Sequence, residues 1–290
     1  KENITTPDRS RTVVSLVSVV GLLLVVIGYL AFRLSTAAPH CPWPLSIFAD
    51  SNEPVAIVTA DVNFGLIDIL EQKHRTLEEY LTREAVAPPE RESEHGLLSY
   101  LGKSSLTSSA DAVVAAGISR LMAGSSNEVA VRSARDLRPR DLDYGNFILL
   151  GSPTSNPWVS EFVDKTNFQE EEEPNGTFVW RNKSPRPGEQ SSYACLRETG
   201  STGDDYADIA LVPGHSGRGL VLILQGCQQE GTESTLLFLK DEKNRRSLLQ
   251  SLGISHPSSR QPIYFEALIK TLVIAGAPSA TSIVATRRLY

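Results

Sequence analysis

Three stretches hold the side chains whose types and spacing could do chemistry. Asp61 ends the apolar run 54–60, PVAIVTA. The hexad Gly151-Ser152-Pro153-Thr154-Ser155-Asn156 follows the apolar run 147–150. Gly226-Cys227-Gln228-Gln229-Glu230-Gly231-Thr232 follows the apolar run 220–224. Each run reads as a buried strand, and the carboxyl end of such a strand is where an open α/β sheet places its ligand contacts. The hexad leads into Pro157, which suits the first position of a helix, and Asn156 is of a type that caps one. A strand, small hydroxyl residues and a helix start present backbone N–H groups to an anion. The loop is not a phosphate-binding P-loop, because it lacks glycine and lysine at the required places. The chemistry expected is non-covalent recognition by Asp61, Gly151, Ser152, Thr154, Ser155, Asn156, Gly226, Glu230, Gly231 and Thr232. The plainer alternative is a turn-forming Asp61 and a tight strand-to-helix corner with a self-capping Asn156.

Catalysis and metal binding find little support. His40, His74, His95, His215 and His256 form no HxH or HExxH arrangement, so neither zinc nor a cofactor is expected. Gly214-His215-Ser216-Gly217 comes nearest to a nucleophile elbow, with the wrong spacing. A periplasmic hydrolase using Ser216 or Ser152 with His215 and an Asp is the enzymatic alternative. Asp61, Asp208 and Glu266 show no readable pairing, and Glu266 with Lys270 fits a helical i,i+4 pair. Glu170 to Glu173 lacks the alternation of an EF-hand loop and reads as a solvated loop.

The elements that must hold these residues follow from periodicity. Strands are expected at 54–60, 128–135, 147–150, 177–181, 206–213, 220–224, 264–273 and 281–288. Helices are expected after Thr76, where Thr76-Leu-Glu-Glu79 forms a capping box, and at 108–122, about 233–239 and 241–252. Two glycine loops at strand ends are how a doubly wound sheet builds its crevice. The fold class expected is α/β: an N-terminal transmembrane helix, then a Rossmann-like mixed sheet with helices on both faces.

That helix is Val13 to Phe32, VVSLVSVVGLLLVVIGYLAF, a run without charge. At about 1.5 Å per residue it spans roughly the 30 Å bilayer core. Lys1, Arg9 and Arg11 lie before it, and after Arg33 the next basic residue is Lys73. This bias puts the tail 1–12 in the cytoplasm and the remainder outside, in the periplasm if the lipid is a cell inner membrane. A cleaved signal peptide is the alternative, since Thr36, Ala37 and Ala38 resemble a cleavage site, but the run exceeds the about 7–15 residues of such regions. The chain begins at Lys1 rather than Met, which leaves room for a cytoplasmic module upstream. Residues 33–53, with Pro39, Pro42 and Pro44, read as a tether, Trp43 suits the lipid headgroups, and 54–290 is the extracytoplasmic domain. Ser15, Ser18 and Gly21 form a small-residue face that allows a homodimer; a monomeric lipid-facing helix is the alternative. Acidic residues outnumber basic ones past Phe32, so 33–290 lacks the basic face that nucleic acid requires. Of Cys41, Cys195 and Cys227, the last two pair if the fold joins them, and otherwise all three are free.

The pairing of NFILLGSPTSN with LILQGCQQEGTES resembles a pattern in uncharacterised bacterial membrane proteins, where an extracytoplasmic α/β domain follows one transmembrane helix. Some of those carry a winged-helix DNA-binding domain in the cytoplasm, and a comparable pairing occurs in archaeal surface-layer proteins. The resemblance covers roughly 55–288 and implies an α/β extracytoplasmic module; it carries over no catalytic residue. The expected function is a membrane-anchored sensory or binding domain of a signalling or regulatory protein. Its ligand or partner is unspecified, and a structural envelope-interaction protein is the second reading.

Overall fold

The computed structural model describes residues 9–36, 41–82, 92–125, 127–196, 200–258 and 261–290. The chain divides into two units, 1–40 and 41–290. In the first, helix α1 (Arg9–Thr36) contains the apolar run. Its described side chains, those of 17–30, are all exposed. Among the described residues no helix is long and apolar enough to cross a membrane.

The second unit is a mixed α/β fold. It opens with a short helix, α2 (Leu45–Ala49), then β1 (Val55–Thr59), α3 (Val62–Glu71), α4 (Leu77–Thr82), α5 (Glu92–Lys103) and α6 (Ser109–Leu121). Strands β2 (Val129–Ser133) and β3 (Asn146–Leu150) follow, then a three-ten helix over Pro157–Lys165. Next come β4 (Phe168–Glu172), β5 (Phe178–Asn182), β6 (Ser192–Ala194), β7 (Gly203–Pro213) and β8 (Leu220–Gly226). Helices α7 (Gln229–Lys240) and α8 (Glu242–Ser251) and the hairpin β9 (Phe265–Ile274) and β10 (Ala277–Arg288) complete it.

Seven strands form one sheet in the order β10-β9-β7-β8-β3-β1-β2, and β4-β5-β6 form a second. Strands β2, β1, β3 and β8 are parallel, while β7, β9 and β10 join antiparallel. The central strands are apolar on both faces, as strands sandwiched between layers must be. Ile57, Ile148 and Leu222 pack under α2, α6, α7 and α8. Val58, Leu149 and Ile223 face the other way, against Trp158 and Phe162 of the three-ten helix. This second face is thus covered by three-ten turns and the small sheet, not by a second layer of long α-helices. The small sheet contributes Phe168, Trp180 and Tyr193 against Leu268 and Ala285.

Residues 41–53, read as tether, belong to the folded unit. Trp43 is buried and its ring lies 4.9 Å from that of Phe265. Leu45, Ile47 and Phe48 enter the main core, which explains a helix in a proline-rich stretch: burial of its apolar side outweighs the composition. The glutamate run also differs from expectation. It forms β4, where Arg181 of β5 bridges Glu171 and Glu173 while Glu170 turns inward. Cys195 and Cys227 are bridged, with Cα atoms 6.1 Å apart, and Cys41 is free.

Candidate functional site

Strand order reverses direction at β1, with β2 on one side and β3 on the other, so a crevice opens outside the carboxyl ends of β1, β3 and β8. A cavity of about 860 Å³ occupies it. Gly151, Ser152, Thr154 and Ser155 form one wall, and Gly226, Cys227, Gln228 and Thr232 form another. Six of the ten residues expected to bind therefore share one space.

The other four do different work. Asp61 is fully buried, and its Oδ2 accepts from Arg135 Nε at 2.8 Å and from the Tyr80 hydroxyl at 3.2 Å. Arg135 and Tyr80 belong to a separate cavity of about 250 Å³. Asn156 does not cap the three-ten helix with its side chain. Its amide donates to the Leu150 carbonyl at 2.8 Å and the Val58 carbonyl at 3.4 Å, tying the ends of β3 and β1 together. Glu230 and Gly231 are in the first turn of α7, which starts four residues before the expected helix, so they are not loop residues. Glu230 Oε1 accepts from the Gly200 N–H, and Gly231 packs against Asp205 and Tyr206.

The anion-binding character expected of the two loops is largely consumed inside the protein. The N–H groups of Ser155 and Asn156 both donate to the Ser152 carbonyl, and that of Gly151 donates to Leu224. The Thr232 N–H donates to Gln228. A carboxylate of the chain itself faces the first loop. Burial pushes the Glu170 carboxyl up to about 7, and the Ser152 and Thr154 hydroxyls pull it the other way.

The titratable groups named on the crevice wall also have partners within the protein. Asp68 pairs with Arg75 at 2.6 Å, Lys73 with Glu79, and His74 Nε2 lies 3.4 Å from Glu172 Oε2. Asp111 is buried and accepts from the Ala60 N–H at 2.6 Å; burial raises its pKa while that bond and Ser108 lower it. The unspent surface is hydroxyl and amide, with Val62, Leu66, Ile69 and Phe178 as the apolar part. Asp68, Asp111 and all of α3 went unread in the sequence, while His74 was read only as a histidine outside any zinc pattern and Glu172 only as part of a solvated loop. The capping pattern Thr107-Ser108-x-x-Asp111 was the one local signal for Asp111: Ser108 accepts from the Asp111 N–H.

No catalytic constellation forms around the other candidates. His215 faces Glu161 at 3.2 Å on an exposed turn, and Ser216 donates to the Asp143 carbonyl. Glu266 and Lys270 are on a strand, not a helix. Glu266 accepts from the N–H groups of Asn167 and Phe168, and Lys270 pairs with Asp204. Glu266 and Asp208, unpaired to the eye in the sequence, are both buried, and burial raises the pKa of each; the Glu266 charge raises that of Asp208 further, while the Phe168 and Asn167 N–H groups lower that of Glu266. Among the described residues, no group of three or more His, Cys, Asp or Glu is arranged to hold a metal ion. The side chains of His40 and His95 lie outside the described residues. The chain matches no protein-family model, no curated protein and no solved structure.

Proposed function

We propose that the chain is a membrane-anchored, extracytoplasmic sensory or binding domain, part of a transmembrane signalling or regulatory protein. The crevice at the ends of β1, β3 and β8 would take a small, uncharged polar ligand. One observation carries this reading: two loops far apart in sequence, together with α3, line a single cavity large enough for a small molecule. The choice of an uncharged ligand follows from the internal partners of the wall's titratable groups and the consumption of the loop N–H groups. The Rossmann-like placement of the crevice agrees with the general site of ligands in such sheets.

The anchor rests on Val13 to Phe32, and the exposed apolar side chains of 17–30 support it. The Cys195–Cys227 bridge supports an oxidising compartment, and the excess of basic residues before the run supports a cytoplasmic tail. A lipid bilayer is thus the first partner, with the domain on the periplasmic side of a cell inner membrane. Pairing through Ser18 and Gly21 belongs to the same proposal; the Ser15 side chain lies outside the described residues.

Two measurements test it. Ser155→Trp in the full chain should remove fragment hits seen by saturation-transfer NMR, with the melting temperature unchanged. Equal hits with the blocked crevice reject the site. Protease added to intact spheroplasts should digest 41–290; digestion only after lysis rejects the topology.

A further inference from the structure

At the foot of α7 three buried side-chain oxygens have no hydrogen-bond partner: Asp205 Oδ2, Glu230 Oε2 and Thr271 Oγ1. Their residues are 0%, 3% and 0% exposed. They come together from three elements. Asp205 on β7 is the register partner of Thr271 on β9, and directly opposed residues share a face with Cβ atoms about 5 Å apart. That face is the one covered by α7, since Ala207, Ile209, Ala267 and Ile269 on it share a core with Leu236 and Phe238. Glu230 is in the first turn of α7, and its neighbour Gly231 comes so close that a Cβ there would stand 2.9 Å from Asp205 Oδ2.

The backbone orients both carboxylates: against burial, the largest influence on Asp205, and the neighbouring Glu230 charge, the N–H groups of Tyr206, Leu196 and Gly231 favour its charged form. The Leu196 N–H donates to Asp205 Oδ1 at 3.3 Å, and the Gly200 N–H donates to Glu230 Oε1 at 2.7 Å. What is left over is two carboxylate oxygens and one hydroxyl on common ground. Two buried like charges side by side are costly unless a cation joins them, and a buried hydroxyl without a partner adds to that cost. The donors are all oxygen and carry two negative charges, which is the preference of a hard divalent ion.

We propose that Asp205, Glu230 and Thr271 form a binding site for a divalent cation, calcium foremost. Calcium takes roughly 6–8 oxygens, so main-chain carbonyls and water complete the shell. The Tyr206 carbonyl, 2.9 Å from the same built position on Gly231, is the nearest main-chain candidate. The ion would fasten the first turn of α7 to β7 and β9. That turn carries Thr232 into the crevice, but the cation site stands whether or not the crevice binds a ligand.

The experiment uses the full chain in detergent, stripped with EDTA and held above neutral pH, with calcium or magnesium chloride added alone. Titration calorimetry should find one calcium per chain, and the melting temperature should rise reversibly. Asp205→Asn and Glu230→Gln should abolish the rise while keeping or increasing the melting temperature in EDTA, because each removes one of two adjacent charges. Thr271→Val should weaken calcium binding roughly tenfold. Asp204→Asn, at an exposed neighbour paired with Lys270, should leave it intact. Arg197→Gln is a second control, as the nearest cation in the sequence. A melting temperature indifferent to both cations overturns the proposal, as does a rise that survives both carboxylate variants. So does destabilisation by Arg197→Gln with calcium inert, since a guanidinium would then be the partner of the carboxylates.

Discussion

Gly151 and Gly226 each end a central parallel strand, and each is glycine for a different reason. Gly151 has φ +88°, in the left-handed region that a side chain resists. A Cβ there would come 2.8 Å from Ser155 Oγ and 3.1 Å from Ala60 Cβ, side-chain atoms with some freedom to shift. Gly226 is limited by contact. Its Cβ would stand 2.3 Å from the Thr232 nitrogen and 2.4 Å from the Gly231 carbonyl carbon, both main chain of α7. The fastenings differ as well. Asn156 laces the first corner to two strand carbonyls, whereas Thr232 Oγ1 accepts from the Gly226 N–H at the second. The first corner is a shaped turn with an adjustable lining; the second is a strand end pressed onto a helix start. Only the first therefore has room to adapt to a bound molecule.

The comparison can be broken by substitution. Gly226→Ala should be the most damaging change, costing roughly 4 kcal/mol or preventing folding, because backbone must move to admit the methyl group. Asn156→Ala should cost about 2 kcal/mol by stranding two buried carbonyls. Gly151→Ala should cost about 1–2 kcal/mol, the strain of a left-handed non-glycine residue. Urea unfolding midpoints check the order. Equal losses at 151 and 226 would show that one constraint governs both corners.

Much of this arrangement was legible in the residues, and what was not has physical reasons. Strands β1, β3 and β8 stood out as apolar runs, and the Thr76–Glu79 capping box forms as read. The meeting of the two glycine loops followed from their shared place at strand ends. Helix α3 was hidden because Asp61 lends it no side-chain cap, its carboxylate being taken by Arg135 and Tyr80. Asn156 looked like a cap because local sequence cannot show that its amide reaches Val58 on another strand. Glu170 looked solvated because its inward turn depends on the pairing of β4 with β5. Asp208 and Glu266 met only once β7 and β9 were in register. Each miss is a long-range contact overriding a sound local preference.

The smallest expected effect sharpens the comparison through pH. The Gly151 corner faces Glu170, and burial pushes that carboxyl up to about 7; Glu266, on the same face of the fold, is also pushed up to about 7. A carboxyl raised in the folded state binds more protons there than in the unfolded chain. Its stabilisation is complete below the ordinary carboxylate value of about 4.3 and is lost as pH rises through 7. Glu189 behaves oppositely: the Arg287 guanidinium holds it down at about 2, so its contribution exists above the ordinary value and fades as pH falls toward 2. The melting temperature in EDTA should therefore peak near about pH 5 and decline by about pH 8. Glu170→Gln keeps the shape without the charge and should flatten part of the alkaline decline, with the acid side unchanged. A full decline in that variant would assign the effect to Glu266 and Asp208 instead, and Glu170 would then not be what shapes the hydroxyl wall of the crevice.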